Sequence, residues 1–384
     1  MVLGQNGSGK TVLATMLVAG RLAANPKMGL LMPDTAGDLL NPASHSRGEF
    51  LWNYQTVLDE ANIRLERLSI NDIRLTSRRT LRDKLAPILK NYLTTTPDKA
   101  QEMARHVVDA IISGQKVTLA EFTADHVLDA VIDAIPMAWA QKATRDQKLN
   151  DMARLKAHPN LLGHYQRDIE EVRRLFDGRE EIGLLVDAVL RDGRKVLLDV
   201  HSRMSRSDQE LVMREIMSQL GWRAGEIFRE RGERACNALI VLDEGMHWVP
   251  QQKGDDDSIG SVIREKFRET RKYGVGWTVI AQSPAGIHND ILRESHTKYF
   301  GRNLGIGADE THLKEALGQQ GYEAYQQLEM QGGYFFMGCG HDNNIGSAAT
   351  YFAFHTFSGD ATNAFIQANP GIFSQAVAKG FAWR

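Results

Sequence analysis

Short apolar stretches alternate with segments of helical periodicity along most of this chain. Five stretches have the composition of buried β-strands, at residues 28–34, 195–202, 238–245, 276–283 and 298–304. Each is nearly continuous in apolar residues, which is typical of strands that helices cover on both faces. Within 208–231 the apolar residues recur at helical spacing, as expected of a crossover helix between parallel strands. The pattern predicts an α/β fold with a mostly parallel sheet flanked by helices.

Residues from about 79 to 185 follow a different pattern, with helical periodicity and no strong strand. We expect an all-α insertion there. Near the end of the chain, the stretches at 332–338 and 349–357 predict a terminal β-hairpin. The expected organisation has four parts: the start of the sheet domain at 1–78, the helical insertion at 79–185, the rest of the sheet domain with its hairpin at 186–358, and a C-terminal tail at 359–384.

The segment between the first apolar residues and the first predicted helix is GQNGSGKT, at residues 4–11. It fits the phosphate-loop pattern G-x-x-x-x-G-K-[ST] at every fixed position. Glycines allow successive backbone N–H groups to point at phosphate oxygens, and Lys10 supplies positive charge to the β- and γ-phosphates. The Thr11 hydroxyl is expected on a bound magnesium ion. The residues predicted to bind the nucleotide here are Gly4, Gln5, Asn6, Gly7, Ser8, Gly9, Lys10 and Thr11.

The strand ahead of this loop is short. Only Met1 to Leu3 precede Gly4, whereas a buried strand usually has about five residues. We therefore expect the sequence to begin in the middle of a strand, with a further N-terminal region ahead of it.

A phosphate loop works with an acidic residue at the end of a second strand, and two strands offer one. KVLLDVHS contains Asp199, and ALIVLDEG ends with Asp243 and Glu244. The adjacent pair suits hydrolysis better, because Asp243 can hold the magnesium with Thr11 while Glu244 polarises the attacking water as general base. We expect Asp199 to be a structural carboxylate or one that acts from outside the site.

The strand GWTVIAQS contributes a polar residue, Gln282, at its end. This strand should pair beside the acidic one, which would bring the amide near the γ-phosphate or the water. An amide there can report whether the terminal phosphate is present. The alternative is that Gln282 caps its own turn.

A basic helix, IREKFRETRKYG, precedes the same strand. Basic helices are usually solvated, and we expect that of most of these side chains. Phosphoryl transfer by assembled ATPases often needs an arginine supplied by a neighbouring subunit, that is, in trans. Arg271 is the first candidate for this role, Arg268 is the second, and Arg302 is among the remaining alternatives.

Composition narrows the class of protein. The chain has 384 residues, two cysteines and a formal net charge of −2. Two cysteines cannot form a disulfide framework, which suits a reducing cytoplasm, and no spacing of Cys or His predicts a metal site. No apolar run is long enough to cross a membrane. The small net charge does not exclude DNA, because a ring that lines only its channel with basic side chains needs no overall basicity.

The order of these motifs resembles the HerA branch of the HerA/FtsK superfamily of P-loop ATPases. The resemblance covers about 1–45 and 190–335, and its most specific part is RETRKYGVGWTVIAQSP. The positions that match the family are the Walker residues Lys10, Thr11, Asp243 and Glu244, the sensor Gln282, and the trans-acting finger, Arg271 or Arg268. Asp34 matches the first residue of a family D-x-x-G-E segment, which implies a cofactor-binding role for it, although here Gly37 is followed by Asp38.

The resemblance implies ATP and Mg²⁺ as cofactors and a homo-hexameric, cytoplasmic ring without membrane association. It further implies a motor that translocates double-stranded DNA, with a helicase-like activity, and works with a nuclease or another effector in DNA end processing or anti-phage defence. One alternative is an ATP-gated ring scaffold that activates its effector without processive movement. Another is a conjugative secretion ATPase.

Two arginines between a strand and a helix, Arg203 and Arg206, are candidates for contacts with DNA phosphates. The alternative is that both side chains are solvated.

Overall fold

The computed structural model describes residues 1–35, 58, 61–114, 117–200, 204–232, 235–251, 258–331, 335–340 and 350–354. Three features of the sequence lie outside these residues: the Gly37–Asp38 step, Arg203, and the tail at 359–384. Among the described residues, no helix combines the length and the apolar character that crossing a membrane requires.

Eleven strands are present in the described part of the chain. They are β1 (Val2–Leu3), β2 (Gly29–Asp34), β3 (Glu66–Ser69), β4 (Ile73–Arg74), β5 (Glu180–Glu181), β6 (Lys195–Asp199), β7 (Ala238–Leu242), β8 (Val275–Ala281), β9 (Thr297–Phe300), β10 (Phe336–Gly340) and β11 (Thr350–Phe354). Nine of them form one sheet, in the order β11-β10-β9-β1-β8-β7-β2-β6-β3.

Seven neighbouring strands of this sheet, from β9 to β3, run parallel to one another. Strand β10 is antiparallel to β9 and to β11, so the predicted terminal hairpin forms, within slightly shifted bounds. The predicted α/β fold with a mostly parallel sheet is therefore confirmed. We call the edge at which the parallel strands end the carboxyl edge, and the opposite edge the amino edge.

Helices connect the strands. Those in the described residues are α1 (Lys10–Ala24), α2 (Arg78–Tyr92), α3 (Pro97–Asp109), α4 (Ala124–Ala138), α5 (Lys142–Ala157), α6 (Pro159–Arg173), α7 (Ile182–Asp187), α8 (Arg206–Arg231), α9 (Gly245–Trp248), α10 (Ile259–Glu269), α11 (Asn289–Glu294) and α12 (Ala308–Gln331). Helix α8 is the crossover helix that the sequence predicts at 208–231. Helix α12 is interrupted at Gly318, whose φ of 69° and ψ of 174° are not helical.

The core of the sheet domain forms where α1 covers the centre of the sheet. Leu13 and Leu22 of α1 are completely buried in one cluster with Met32 of β2 and Val241 of β7. The apolar residues of α1 recur at helical spacing, and those of the strands form near-continuous runs. Burial of both sets holds α1, the helix after the phosphate loop, against the sheet.

The chain divides into two compact units, one formed by Met1–Ile70 with Leu185–Arg384 and the other by Asn71–Leu184. The second unit contains α2 to α6, and capping side chains start α2 and α3: Ser77 accepts a hydrogen bond from the Thr80 N–H, and Thr96 from the Lys99 N–H. Tyr92 and Tyr165 meet edge to face inside this unit, with ring centroids 5.1 Å apart.

Three short strands are missing from the sequence prediction. Strand β3 has the polar sequence ERLS and lies at the edge of the large sheet, where most of its side chains stay outside the core. Strands β4 and β5 have two residues each and pair in parallel with each other. None of these three strands has the apolar run from which buried strands are recognised in a sequence.

Candidate nucleotide-binding and hydrolysis site

The phosphate loop connects the end of β1 to the start of α1 at the carboxyl edge. Gly7 and Gly9 have φ values of 77° and 84°, a left-handed conformation that glycine adopts without strain. Gly9 is the N-cap of α1 and supplies no capping side chain, so the first N–H groups of the helix face the loop. Ser8 is only 2% exposed, and its hydroxyl has no hydrogen-bond partner among the described residues. A buried hydroxyl beside free helix N–H groups suits an anionic oxygen.

Lys10 turns its ammonium toward this loop. Its Nζ donates a hydrogen bond to the Gln5 carbonyl at 3.2 Å. Burial lowers the pKa of Lys10, and the negative charges of Glu244 and Asp243 partly oppose that change. The lysine and the two acidic residues therefore lie within electrostatic reach of one another, as the sequence predicts.

Asp243 directly follows β7 at the carboxyl edge. Its Oδ1 accepts a hydrogen bond from the Glu244 N–H at 2.8 Å, and its carbonyl accepts one from the indole Nε1 of Trp248 at 3.0 Å. Burial raises the pKa of Asp243 to about 6, and the nearby charges of Glu244 and Asp34 add to the effect. A desolvated carboxylate of this kind is stabilised by a cation, so Asp243 fits a magnesium ligand.

Glu244 has a backbone that side chains rarely adopt, with a φ of 49° and a ψ of 52°. Such a conformation costs of the order of 1 kcal/mol and persists when surrounding contacts impose it. Here the Asp243 carboxylate holds the Glu244 N–H, and the Glu244 carbonyl accepts a hydrogen bond from the His247 N–H at 2.7 Å. The turn directs the Glu244 side chain toward Gln282.

Gln282 follows β8, which pairs with β7 as the sequence predicts. Its Nε2 donates to the Glu244 carboxylate, with distances of 3.3 Å to Oε2 and 3.5 Å to Oε1. The amide thus contacts the predicted general base across the strand pair. Its role as a sensor remains a prediction that this contact supports.

The two acidic strands are separated by β2. Asp34, at the end of β2, is 1% exposed and contributes to the charge around Asp243. Asp199 lies opposite Asp34 on β6, and its Oδ2 accepts a hydrogen bond from Arg67 at 2.9 Å. Asp199 is thus hydrogen-bonded to Arg67 on the side of β2 that faces away from β7. Asp243, in contrast, is next to β8 and Gln282. The geometry supports Asp243 and Glu244 as the working pair.

A short turn after β9, at residues 301–304, lies against the phosphate loop and is absent from the sequence prediction. The predicted strand at 298–304 ends at Phe300. The Gly301 N–H donates to the Leu3 carbonyl at 2.7 Å, and the Gln5 N–H donates to the Arg302 carbonyl at 3.3 Å. We call residues 301–304 the supporting turn. Arg302 therefore lies beside the phosphate loop of its own subunit, which argues against it as a trans-acting finger.

Arg271 and Arg268 lie at the other end of β8. Arg271 is in the turn before the strand and Gln282 is after it, and the strand has seven residues, so the two side chains start about 20 Å apart. Both arginines are exposed, and neither side chain forms an ion pair or hydrogen bond with another described residue. An arginine at the amino edge cannot reach the phosphate loop of its own subunit. Any role at a nucleotide would have to be in trans.

Magnesium would have few ligands from the protein. The described residues include no group of three or more His, Cys, Asp or Glu side chains arranged to hold a metal. The predicted donors are the Thr11 hydroxyl and the Asp243 carboxylate. This set fits a magnesium ion that takes its other ligands from phosphates and water.

The burial of Asp243 has a testable cost. Its raised pKa means that, between the ordinary carboxyl range and pH 6, the folded protein keeps a proton that the unfolded chain has lost. The stability of the nucleotide-free protein therefore falls as the pH rises through that window. At pH 7.5 with EDTA, we expect Asp243→Asn to increase the free energy of unfolding by about 1–3 kcal/mol. The asparagine Oδ1 can still accept the Glu244 N–H.

The same variant should lose the extra stability that Mg²⁺ with ATP gives the wild type, because the amide is a poor magnesium ligand. Thermal unfolding of both proteins, in EDTA and in Mg²⁺-ATP, measures both effects. A variant less stable than the wild type in EDTA would contradict the expected cost of burying this carboxylate.

Comparisons with known proteins agree with the motifs. The family model of zonular occludens toxin (Zot) matches residues 181–331. A curated relative, the DNA double-strand break repair helicase HerA of Pyrococcus furiosus, is 30% identical over 97 residues. That match covers 25% of this chain and 15% of the helicase.

The solved structures to which the chain is similar are more distant in sequence. VirB4 of Thermoanaerobacter pseudethanolicus is 16% identical, with a TM-score of 0.42, over 87% of this chain and 85% of that one. The bacterial conjugative coupling protein TrwB is 10% identical, with a TM-score of 0.40, over 93% and 78%. The genome packaging NTPase B204 of Sulfolobus turreted icosahedral virus 2 is 12% identical, with a TM-score of 0.30, over 45% and 72%.

The phosphate loop, the acidic pair and the amide that contacts it agree with the two sequence matches. Over the matched residues, the chain is therefore similar to P-loop ATPases of the HerA/FtsK type.

Proposed function

We propose that this chain is the ATPase of a homo-hexameric ring that uses ATP hydrolysis to translocate double-stranded DNA. The observation that carries the proposal is the division of the predicted catalytic residues between two edges of the sheet. Lys10, Asp243 and Glu244 are at the carboxyl edge, whereas the exposed Arg271 is at the amino edge. If Arg271 completes a site, that site must belong to a neighbouring copy, and repetition of such a contact closes a ring.

The chemistry follows from residues that the structure brings together. Lys10 would neutralise charge on the β- and γ-phosphates, while the N–H groups at the start of α1 hold their oxygens. A magnesium ion held by Thr11 and Asp243 would supply further positive charge on the phosphate oxygens. The Glu244 carboxylate would accept a proton from the attacking water. Its position is set by the backbone of the turn after β7 and by the amide of Gln282.

Gln282 would connect the state of the nucleotide to the rest of the sheet. Its neighbour Ser283 donates to Oδ1 of Asp309, which also accepts the Ala285 N–H at 2.9 Å. Asp309 is in the first turn of α12. A change in the Gln282 contact after loss of the γ-phosphate would therefore reach α12 through a buried carboxylate.

The DNA part of the proposal rests on the resemblance to HerA and on the ring. Within the described residues, Arg206 remains a candidate for a phosphate contact. It begins α8 near the carboxyl edge and is exposed, with a hydrogen bond to Glu210 at 3.0 Å. Its Nη2 is 3.3 Å from Nδ1 of His247, in the helix that follows Glu244. We further propose a nuclease-type effector as the partner, in DNA end processing or anti-phage defence.

A salt series tests the DNA part. We expect double-stranded DNA to stimulate ATP hydrolysis, and we expect binding to weaken steeply with salt, because each neutralised phosphate releases counterions. Sequence preference should be slight, since phosphate contacts position a protein without reading bases. The measurements are the ATPase rate and the DNA affinity of the assembled protein at several salt concentrations. An ATPase rate that double-stranded DNA does not change at low salt, with the effector present, would contradict translocation and favour the gated scaffold.

A further inference from the structure

The supporting turn is joined to the phosphate loop by main-chain contacts. The Arg302 carbonyl accepts the Gln5 N–H, and the Gly301 N–H donates to Leu3, the last residue of β1. A Cβ atom on Gly301 would lie 3.2 Å from the buried Ser8 hydroxyl and 2.9 Å from the ring of Phe336. The turn and the phosphate loop therefore touch, and neither can move far without the other.

Two side chains of α12 fix the turn from the other side. The Tyr325 hydroxyl accepts the Leu304 N–H at 3.1 Å and lies 2.8 Å from the Gly301 carbonyl, to which it can donate. Glu329 accepts the Asn303 N–H, and its Oε1 is 2.8 Å from the Tyr325 hydroxyl. Asn303 has a φ of 64°, a conformation that few residues other than glycine tolerate. The backbone of Arg302 is thus held on both sides in a defined position.

The side chain of Arg302 is a cation without a matching anion. Its Nε is buried and has no hydrogen-bond partner among the described residues. Nor does Arg302 form an ion pair with any described carboxylate. A buried guanidinium donor without an acceptor is costly, so an anion at this place would be favoured. The phosphate loop brings such an anion, because nucleotide phosphates lie against its N–H groups.

We infer that Arg302 binds the phosphate groups of the nucleotide held by the phosphate loop of its own subunit, in cis. The inference rests on the proposed nucleotide site and adds a second cation to it. Lys10 approaches the phosphates from the loop itself, and Arg302 approaches from the supporting turn. Tyr325 and Glu329 are then positioning residues, which act on the nucleotide through the backbone of that turn.

Equilibrium binding of fluorescent ADP and ATP analogues tests this role directly. We expect Arg302→Gln to weaken both nucleotides by at least about tenfold, the effect of losing one charge-assisted hydrogen bond. Arg302→Lys should bind with intermediate affinity, since it keeps the charge but not the planar group of donors. Arg229→Gln, at an exposed arginine in the last turn of α8, is the matched control and should bind as the wild type does.

Tyr325→Phe tests independently whether the position of the supporting turn affects nucleotide binding. It removes only the hydroxyl that holds the supporting turn, so nucleotide affinity should fall by a smaller factor while Arg302 is still present. The thermal unfolding of each nucleotide-free variant separates binding from stability. Wild-type affinity in Arg302→Gln would overturn the inference. So would a loss of affinity that parallels a lower unfolding temperature and that Arg302→Lys does not reverse.

Mixed oligomers distinguish cis from trans. If Arg302 and Lys10 act in the same subunit, mixing Arg302→Ala with Lys10→Ala subunits leaves every site with one defect, and hydrolysis at limiting ATP should not exceed that of the Arg302→Ala subunits alone. Hydrolysis above that baseline in the mixed oligomers would overturn the cis role. If the wild type itself bound neither analogue, the nucleotide site would be refuted, an outcome distinct from failure of the Arg302 inference alone.

Discussion

Glu244→Gln should retain ATP binding and lose at least about 100-fold in turnover. The amide keeps the shape of the side chain but cannot accept a proton from water, and general-base catalysis is typically worth 10²–10⁴-fold. The hydrogen bond from Gln282 can persist, because the glutamine oxygen accepts it in place of the carboxylate. The measurements are the steady-state rate of ATP hydrolysis and the equilibrium affinity for ATP.

Asp199→Asn is the matched control for this variant. Asp199 also ends a parallel strand, but its carboxylate is bound by Arg67 on the far side of β2. We expect its turnover to stay within a fewfold of the wild type. If Asp199→Asn were the more damaging change, the working acidic residue would lie on β6 and the assignment of Glu244 would be wrong.

Oligomers mixed from Lys10→Ala and Arg271→Ala subunits should recover hydrolysis that neither variant has alone. A Lys10→Ala subunit cannot use its own nucleotide but still presents Arg271 at the amino edge. An Arg271→Ala subunit has the reverse defect. One complete site forms wherever a Lys10→Ala subunit presents its Arg271 to the nucleotide of an Arg271→Ala subunit. A trans arginine is worth 10³–10⁵ in rate in other NTPases. The ATPase rate across mixing ratios measures the recovery.

Native mass of the mixed oligomers is the necessary control, because recovery requires that both variants enter the same ring. Intact mixed rings without recovery would exclude Arg271 from the trans role. The same experiment with Arg268→Ala would then test the other exposed arginine of this surface. Recovery with Arg271→Ala but not with Arg302→Ala would separate the trans arginine from the cis arginine.

The main features of the sheet domain were predictable because they depend on local patterns. Near-continuous apolar runs predicted β2, β6, β7 and β8, since burial on both faces leaves no polar alternation. The order of these strands could not be read from the sequence. Strand β8 lies between β1 and β7, although it follows both along the chain, and only the packed sheet determines that position.

The candidate site was predictable where a residue directly follows a recognisable strand or belongs to a motif of fixed spacing. Lys10, Asp243 and Gln282 are of this kind. The supporting turn was missed because its sequence continues a β-like pattern and its contacts come from far along the chain. Tyr325 is 24 residues after Gly301, and its hydroxyl gives no signal in a helix that otherwise has ordinary helical composition. The four-residue spacing of Tyr325 and Glu329 indicates only that they share a helix face.

Strand β1 has neighbours on both sides, and this has a consequence for local opening of the protein. The Gly4 N–H donates to Ala281 of β8, while Gln5 and Gly301 bridge β1 to the turn after β9. The Gly4 amide is held on the β8 side and the other two on the side of the turn after β9, so exposing all three requires separating β1 from both neighbours. We expect the three amides to share the slow opening that frees β1 from both neighbours, and native-state hydrogen exchange measures its free energy.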